Sequence, residues 1–120
     1  MRVRSLSLTV LLLSVATVSA DEPKPLRVGI IGLDTSHVTA FTSVLNNPKA
    51  KAELGGARVV AAFPGGSEDV DASRTRVKGF TDTLRDKHGV VIVDSIEALL
   101  PKVDVVLLES VDGRPHLEQV

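Results

Sequence analysis

The residues whose types and spacing best suit ligand binding lie in the stretch VGIIGLDTSH, from Val28 to His37. An apolar run ends there at a glycine turn that leads into a predicted helix start. Dinucleotide-binding proteins hold a pyrophosphate at such a turn, using three glycines for the turn, for the phosphate and for helix packing. Gly32 takes the first of these positions, but Asp34 takes the second and His37 the third.

The residues after Gly32 are compatible with more than one role. A helix N-terminus attracts anions, and Asp34 would compete for its N–H donors and repel a phosphate, whereas Thr35 and Ser36 can still hydrogen-bond one. The alternative is that Asp34, Thr35 or Ser36 caps the helix. His37 is either a partly exposed residue of the first helical turn or a ligand contact at the crevice.

The end of the second apolar run lacks the acid that holds the ribose of NAD in dinucleotide-binding proteins. After Phe63 the chain continues Pro-Gly-Gly-Ser, and the first acids are Glu68 and Asp69. This neutral loop is either an ordinary turn or leaves room for a 2′-phosphate, with Arg74 or Arg76 nearby, which would favour NADP.

Polar residues gather after the fourth apolar run: Glu109, Ser110, Asp112, Arg114 and His116. The carboxyl ends of parallel strands share one edge of a sheet, so we expect this loop to face the same crevice as the Gly32 turn. The alternative is a solvated loop with capping residues. The spacing of the histidines and carboxylates does not support a metal site.

Apolar runs and helical periodicity alternate four times along the chain. The predicted strands are 26–31, 57–63, 90–93 and 103–108, and a predicted helix follows each one. Strands that are apolar throughout need helices on both faces. The sequence therefore predicts an α/β fold: a doubly wound parallel sheet of the NAD(P)-binding Rossmann-like type, incomplete, with about four strands.

The first twenty residues have the layout of a secretory signal peptide, with Arg2 and Arg4 before the apolar run Leu6–Val18 and small residues up to Ala20. An uncleaved N-terminal anchor is the alternative. The predicted organisation is a signal peptide at 1–20, a linker at 21–26 and the N-terminal part of a Rossmann-like nucleotide-binding domain at 27–120, its C-terminal domain absent. The predicted location is periplasmic or secreted, with no membrane association after signal cleavage.

Composition argues against several classes of partner and site. The chain has no cysteine, which excludes disulfides and thiolate metal sites. Two of its 14 basic residues lie in the leader, so 12 face 15 acidic residues in the rest, a net charge of −3. This weak acidic balance, without tryptophan or tyrosine, argues against nucleic acid as a partner.

From about Arg27 to Val120 the chain resembles the Gfo/Idh/MocA family of oxidoreductases. The segments that carry the resemblance are RVGIIGLD, VDSIEALLPKVDVVLLES and RPHLEQV. Ser110, Asp112 and His116 match the threonine, asparagine and histidine of the family's loop after strand four, if Gly113 is an insertion. In that family these positions commonly line the nicotinamide side of the site.

The resemblance implies NAD or NADP as cofactor, a sugar or polyol substrate, a C-terminal mixed α/β domain and, in a full-length protein, scope for oligomers. The family's catalytic lysine would lie beyond Val120, so no catalytic residue is assigned and this fragment alone is expected to be inactive. The alternatives are an exported, non-catalytic Rossmann-like protein that binds a carbohydrate or another small ligand, and an inactive truncated fragment. The expected cofactor-binding residues are Gly32, Asp34, Thr35, Ser36, His37, Ser110, Asp112 and His116.

Overall fold

A computed structural model describes residues 24–50 and 56–120. The predicted signal peptide and residues 21–23 of the predicted linker lie outside these residues. In chain order the elements are β1 Leu26–Ile31, α1 His37–Leu45, β2 Ala57–Phe63, α2 Asp71–Arg74, α3 Val77–His88, β3 Val91–Ile92, α4 Ile96–Leu99, a 3₁₀ turn Leu100–Lys102, β4 Val105–Leu108 and α5 His116–Gln119.

The described residues form one sheet of four strands in the order β3-β2-β1-β4. Every neighbouring pair is parallel, which confirms the predicted α/β Rossmann-like fold. The same order of strands begins the dinucleotide-binding folds, whose ligands bind at the carboxyl ends of the strands. The loops that leave β1, β2 and β4 therefore lie at one rim of the sheet.

Helices cover both faces of this sheet. Successive residues of β1 point to opposite faces, so each face carries apolar side chains that a helix buries. Ile30 packs into a cluster with Val38 of α1 and Leu84 of α3. Ile31 packs on the other face in a cluster with Leu99 of α4. This two-sided burial explains why the strands are apolar throughout.

The edge strands are shorter than the apolar runs predict. β3 pairs with β2 at Ala61 and Ala62 alone, so it counts two residues where four were expected. The run 103–108 joins the ladder from Val105 onward, and the preceding residue, Asp104, is hydrogen-bonded to Arg27 through its carboxylate. The short helix α2 has no apolar periodicity and was not predicted.

The ends of two helices follow the expected chemistry. α3 ends at Gly89, which adopts the left-handed conformation that favours glycine, with φ 65°. α4 begins after Ser95, whose hydroxyl oxygen accepts a hydrogen bond from the Ala98 amide at 3.1 Å. In the described part of the chain no helix is long and apolar enough to cross a membrane.

A side chain supplies the backbone pairing that β2 lacks beside Val59. Asn46, at the end of α1, accepts a hydrogen bond from the Val59 amide at 2.8 Å and donates one to the Val59 carbonyl at 2.9 Å. β3 pairs only with later residues of β2, so the amide group of Asn46 takes the place of a neighbouring strand there. This contact fixes the C-terminal end of α1 against the sheet.

Candidate functional site

An open cleft of about 490 Å³ lies at the carboxyl rim of the sheet, between the loop after β2 and the loop after β4. Its volume is within the range of small-molecule sites. α5 forms part of its wall. The lining residues are Phe63, Gly65, Gly66, Ser67, Asp69, Asp112, Arg114, Pro115, Glu118 and Gln119.

Gly32, which follows β1 directly, lets the loop after β4 approach β1 closely at the rim. Gly32 has φ +86°, and a β-carbon at this position would lie 2.3 Å from the Ser110 hydroxyl oxygen and 2.5 Å from the Ser110 amide nitrogen. Only glycine therefore allows the loop after β4 to pass this close. The Gly32 amide donates to the Phe63 carbonyl at 3.0 Å and the Glu109 amide donates to Ile31 at 2.8 Å, which joins all three loops.

The carboxylate of Asp34 ties the same three loops together from the interior. Its side chain is fully buried. One oxygen accepts a hydrogen bond from the Ser73 hydroxyl at 2.6 Å, and the other accepts one from the Val111 amide at 3.1 Å. The Ser73 oxygen in turn accepts from the Ser67 amide at 2.8 Å. Asp34 therefore links the three loops beneath the rim.

Asp34 does not cap α1, although the sequence allowed that interpretation. The residue before the helix is Ser36, and its side chain makes no capping hydrogen bond. The amide of His37 lies 3.4 Å from the Thr35 hydroxyl oxygen, a long contact that is the nearest approach to a cap. The capping interpretation thus fits Thr35 weakly and Asp34 not at all.

Four side chains join the β2 and β4 loops across the cleft, and we call them the loop bridge: Ser67, Asp69, Asp112 and Arg114. The guanidinium of Arg114 donates two hydrogen bonds to Asp69, at 2.7 and 2.8 Å, and others to Asp112 at 2.7 to 3.0 Å. The Ser67 hydroxyl donates to Asp112 at 2.6 Å. Charge-assisted bonds of this geometry are the strong class of protein hydrogen bonds.

These contacts set the charge state of the bridge. The hydrogen bonds of Arg114 lower the pKa of the Asp69 carboxyl, and those of Arg114 and then Ser67 hold the pKa of Asp112 far below its usual value. The same carboxylates, Asp69 first, raise the pKa of Arg114. The bridge therefore carries two anionic groups and one cation at neutral pH.

Two predicted residues, Ser110 and His116, hold α5 against the rim instead of lining the cleft. The Ser110 hydroxyl lies 3.0 Å from the side-chain oxygen of Gln119 and donates to it. A ring nitrogen of His116 lies 2.8 Å from the Ser110 carbonyl oxygen. Both contacts fix the position of Gln119, which does line the cleft.

The predicted residue His37 lies on α1 with an exposed side chain, outside the lining of the cleft. Its Nδ1 atom is 3.6 Å from a carboxylate oxygen of Glu109, which is mostly buried. The distance suits an ion pair when the ring is protonated but is too long for a hydrogen bond. Of the eight predicted residues, Asp112 alone is among the described residues that line the cleft.

The sequence did not single out Asp69, Glu118 and Gln119 as site residues. Asp69 lies six residues beyond the end of β2, whereas the ribose-binding acid of dinucleotide-binding proteins lies at the end of that strand. The sequence does contain a signal for this ion pair, because Asp69 and Arg114 carry opposite charges and lie in the loops that follow β2 and β4. Those loops meet once β1 is placed between the two strands.

The turn after β1 is buried where dinucleotide-binding proteins let the backbone approach a pyrophosphate. Residues 32–35 are all buried, with Asp34 in the position of the second glycine, whereas Ser36 and His37 are exposed. The arginines considered for a 2′-phosphate point elsewhere. Arg74 is paired with Asp71 at 2.7 Å, and Arg76 lies over the Phe80 ring.

The cleft, by contrast, is lined by planar groups with paired acceptors, and the donors of its guanidinium are directed at Asp69 and Asp112. Three carboxylates, one guanidinium and one carboxamide surround glycine backbone and the ring of Phe63. Such groups accept and donate hydrogen bonds in pairs, as the adjacent hydroxyls of a sugar require. Among the described residues, no group of three or more histidine or acidic side chains is arranged to hold a metal ion.

Comparisons of this chain with protein-family models, with curated proteins and with solved structures gave no match.

Proposed function

We propose that this chain is the N-terminal, ligand-binding part of a Gfo/Idh/MocA-like oxidoreductase, and that its rim cleft binds a ligand with adjacent hydroxyl groups. The observation that carries the proposal is the cleft of about 490 Å³ between the β2 and β4 loops. In Rossmann folds a carboxylate after β2 hydrogen-bonds ribose hydroxyls, and Asp69 stands in that loop here.

Two sources of such hydroxyls are consistent with the cleft. The ribose of NAD or NADP is favoured by the strand order β3-β2-β1-β4, which matches that of dinucleotide-binding folds. A free sugar or polyol is favoured by the buried turn at 32–35, because a ligand without a pyrophosphate does not require its amides. A dinucleotide in the usual pose would approach the turn at Asp34, whose side chain is held by Ser73 and Val111.

Isothermal titration calorimetry distinguishes these sources. The protein is titrated with NAD, NADP, adenosine and a free sugar or polyol such as ribose or inositol, and then with 2′,3′-dideoxyadenosine, which lacks the diol. We expect adenosine or a sugar to bind at micromolar to millimolar levels and the dideoxy compound to bind at least about tenfold more weakly, because the paired hydrogen bonds are lost. Equal affinity for adenosine and its dideoxy analogue, or no heat with any of these ligands, would count against the proposal.

We also propose, from the leader alone, that the protein is exported. Mass spectrometry of the protein recovered from the periplasm or medium of a host cell should then give a chain that begins at Asp21. A chain that keeps residues 1–20 and stays with the membrane fraction would instead support the uncleaved anchor.

A further inference from the structure

The charge that a ligand meets in the cleft depends on one ion pair of the loop bridge. Arg114 is the one basic residue among the described residues that line the cleft, and three acidic residues line it as well: Asp69, Asp112 and Glu118. The formal charge of the lining is therefore −2. Both Asp69 and Asp112 lie against the guanidinium, so the cation is turned toward protein carboxylates.

We infer that the cleft selects ligands without a phosphate group, and that Asp69 enforces this selection by occupying Arg114. This inference rests on the proposed function, since it names the class of hydroxyl-rich ligand that the same cleft takes. A phosphate would meet an excess of negative charge and no free bidentate donor. An uncharged sugar, or an adenosine without a 2′-phosphate, meets no such penalty.

The geometry assigns the selective role to Asp69 and not to Asp112. The Asp112 side chain is only 8% exposed and is also held by the Ser67 hydroxyl, so it belongs to the fixed part of the bridge. The Asp69 side chain is 67% exposed and holds both terminal nitrogens of Arg114. Loss of the Asp69 charge therefore releases guanidinium donors toward the cleft while Asp112 still anchors Arg114.

An arginine freed in this way has the donor geometry that phosphate prefers. The substitution Asp69→Asn removes one negative charge and weakens the competition for Arg114. It should therefore improve the binding of a phosphorylated ligand more than that of its unphosphorylated counterpart. A purely structural role of Asp69 would change both affinities alike.

The test compares ligands that differ by one phosphate: adenosine against adenosine 2′-phosphate, and ribose against ribose 5-phosphate for a free-sugar site. Calorimetry of the wild-type protein should give at least about tenfold tighter binding of the unphosphorylated member of the pair that binds. In Asp69→Asn this preference should fall by at least about tenfold. Asp69→Ala, which removes the carboxylate altogether, should act in the same direction.

A matched control is present in the chain. Asp71 forms an exposed ion pair with Arg74 at 2.7 Å, and neither residue lines the cleft. The Asp71→Asn variant should keep the wild-type preference, and thermal unfolding of each variant verifies that it is folded.

The possible results separate this inference from the proposed function. Tighter binding of the phosphorylated ligand by the wild-type protein, or the same preference in Asp69→Asn and Asp71→Asn, overturns the inference but leaves a hydroxyl-binding cleft intact. Absence of binding by all four ligands contradicts the proposed function, and the inference fails with it.

Discussion

The carboxylate of Asp34 and the hydroxyl of Ser73, 39 residues apart in the chain, are joined by a 2.6 Å hydrogen bond beneath the rim of the sheet. The second oxygen of the same carboxylate accepts the Val111 amide. One buried side chain thus connects the turn after β1 with α2 and with the loop after β4. In dinucleotide-binding folds this turn approaches a ligand anion, whereas here the carboxyl group of Asp34 takes both hydrogen-bond donors from other parts of the chain.

Replacement of Asp34 should therefore destabilise the fold strongly. In Asp34→Ala the Ser73 hydroxyl and the Val111 amide lose their acceptor, and we expect a loss of about 3 kcal/mol in the free energy of unfolding. Asp34→Asn should lose less, because it retains one carbonyl acceptor. Denaturant unfolding measures both, with exposed Asp86→Ala as the control that should stay within about 0.5 kcal/mol of wild type. Equal stability of Asp34→Ala and wild type would contradict this role of Asp34.

Gly32 should not tolerate a side chain. In Gly32→Ala the new β-carbon meets Ser110 at 2.3 to 2.6 Å in a left-handed conformation, so we expect a loss of at least about 3 kcal/mol. The control is Gly79→Ala within α3, where a β-carbon meets nothing within 4 Å and alanine should stabilise the helix by up to about 1 kcal/mol. Thermal unfolding of both variants checks the difference, and a Gly32→Ala melting temperature near that of wild type would rule out the close approach to Ser110.

Asn46 should matter more for stability than its neighbour Asn47. Asn46→Ala leaves the amide and carbonyl of buried Val59 without partners, which should cost about 1–3 kcal/mol. Asn47 accepts one exposed hydrogen bond from the Lys49 amide, so Asn47→Ala should cost less than about 1 kcal/mol. Urea unfolding of the two variants compares them directly. The reverse ranking would show that Asn46 does not complete the pairing of β2.

Acid should weaken the contact between Arg27 and Asp104. The hydrogen bonds from Arg27 lower the pKa of Asp104 to about 2, below its usual value of 3.8. A carboxyl with a lowered folded-state pKa contributes stability above its unfolded-state pKa and loses it as the pH falls through the folded-state pKa. The stability difference between wild type and Arg27→Gln should therefore be full at pH 5 and shrink between about pH 4 and pH 2. A difference that stays constant over this range contradicts the assignment.

The sheet could be predicted from the sequence because its signals are local. The runs that became β1 and β2 are apolar, rich in β-branched residues and bounded by turn residues, and the structure gives them the predicted bounds. Gly89, which follows the last turn of α3, ends that helix in the left-handed conformation that glycine favours. The lengths of β3 and β4 depend on their partners in the sheet, and the sequence pattern does not contain that information.

The contacts of the candidate site depend on residues far apart in the chain. Asp34 meets Val111 across 77 positions, and Asp69 meets Arg114 across 45. No periodicity links such pairs, so the sequence near the glycine turn indicates the helix that follows it but not its contacts with α2 and the β4 loop. The strand order β3-β2-β1-β4 places the loops after β2 and β4 on either side of β1, and this order is what indicates the ion pair between Asp69 and Arg114.

The most direct test of the central claim is an NMR titration of the ¹⁵N-labelled protein with adenosine and with ribose. A ligand in the cleft should shift amide signals in residues 65–69 and 112–119 and leave those of residues 35–39, at the start of α1, near their free positions. Shifts concentrated at the start of α1, or no shifts at millimolar ligand, would contradict a hydroxyl-binding site between the β2 and β4 loops.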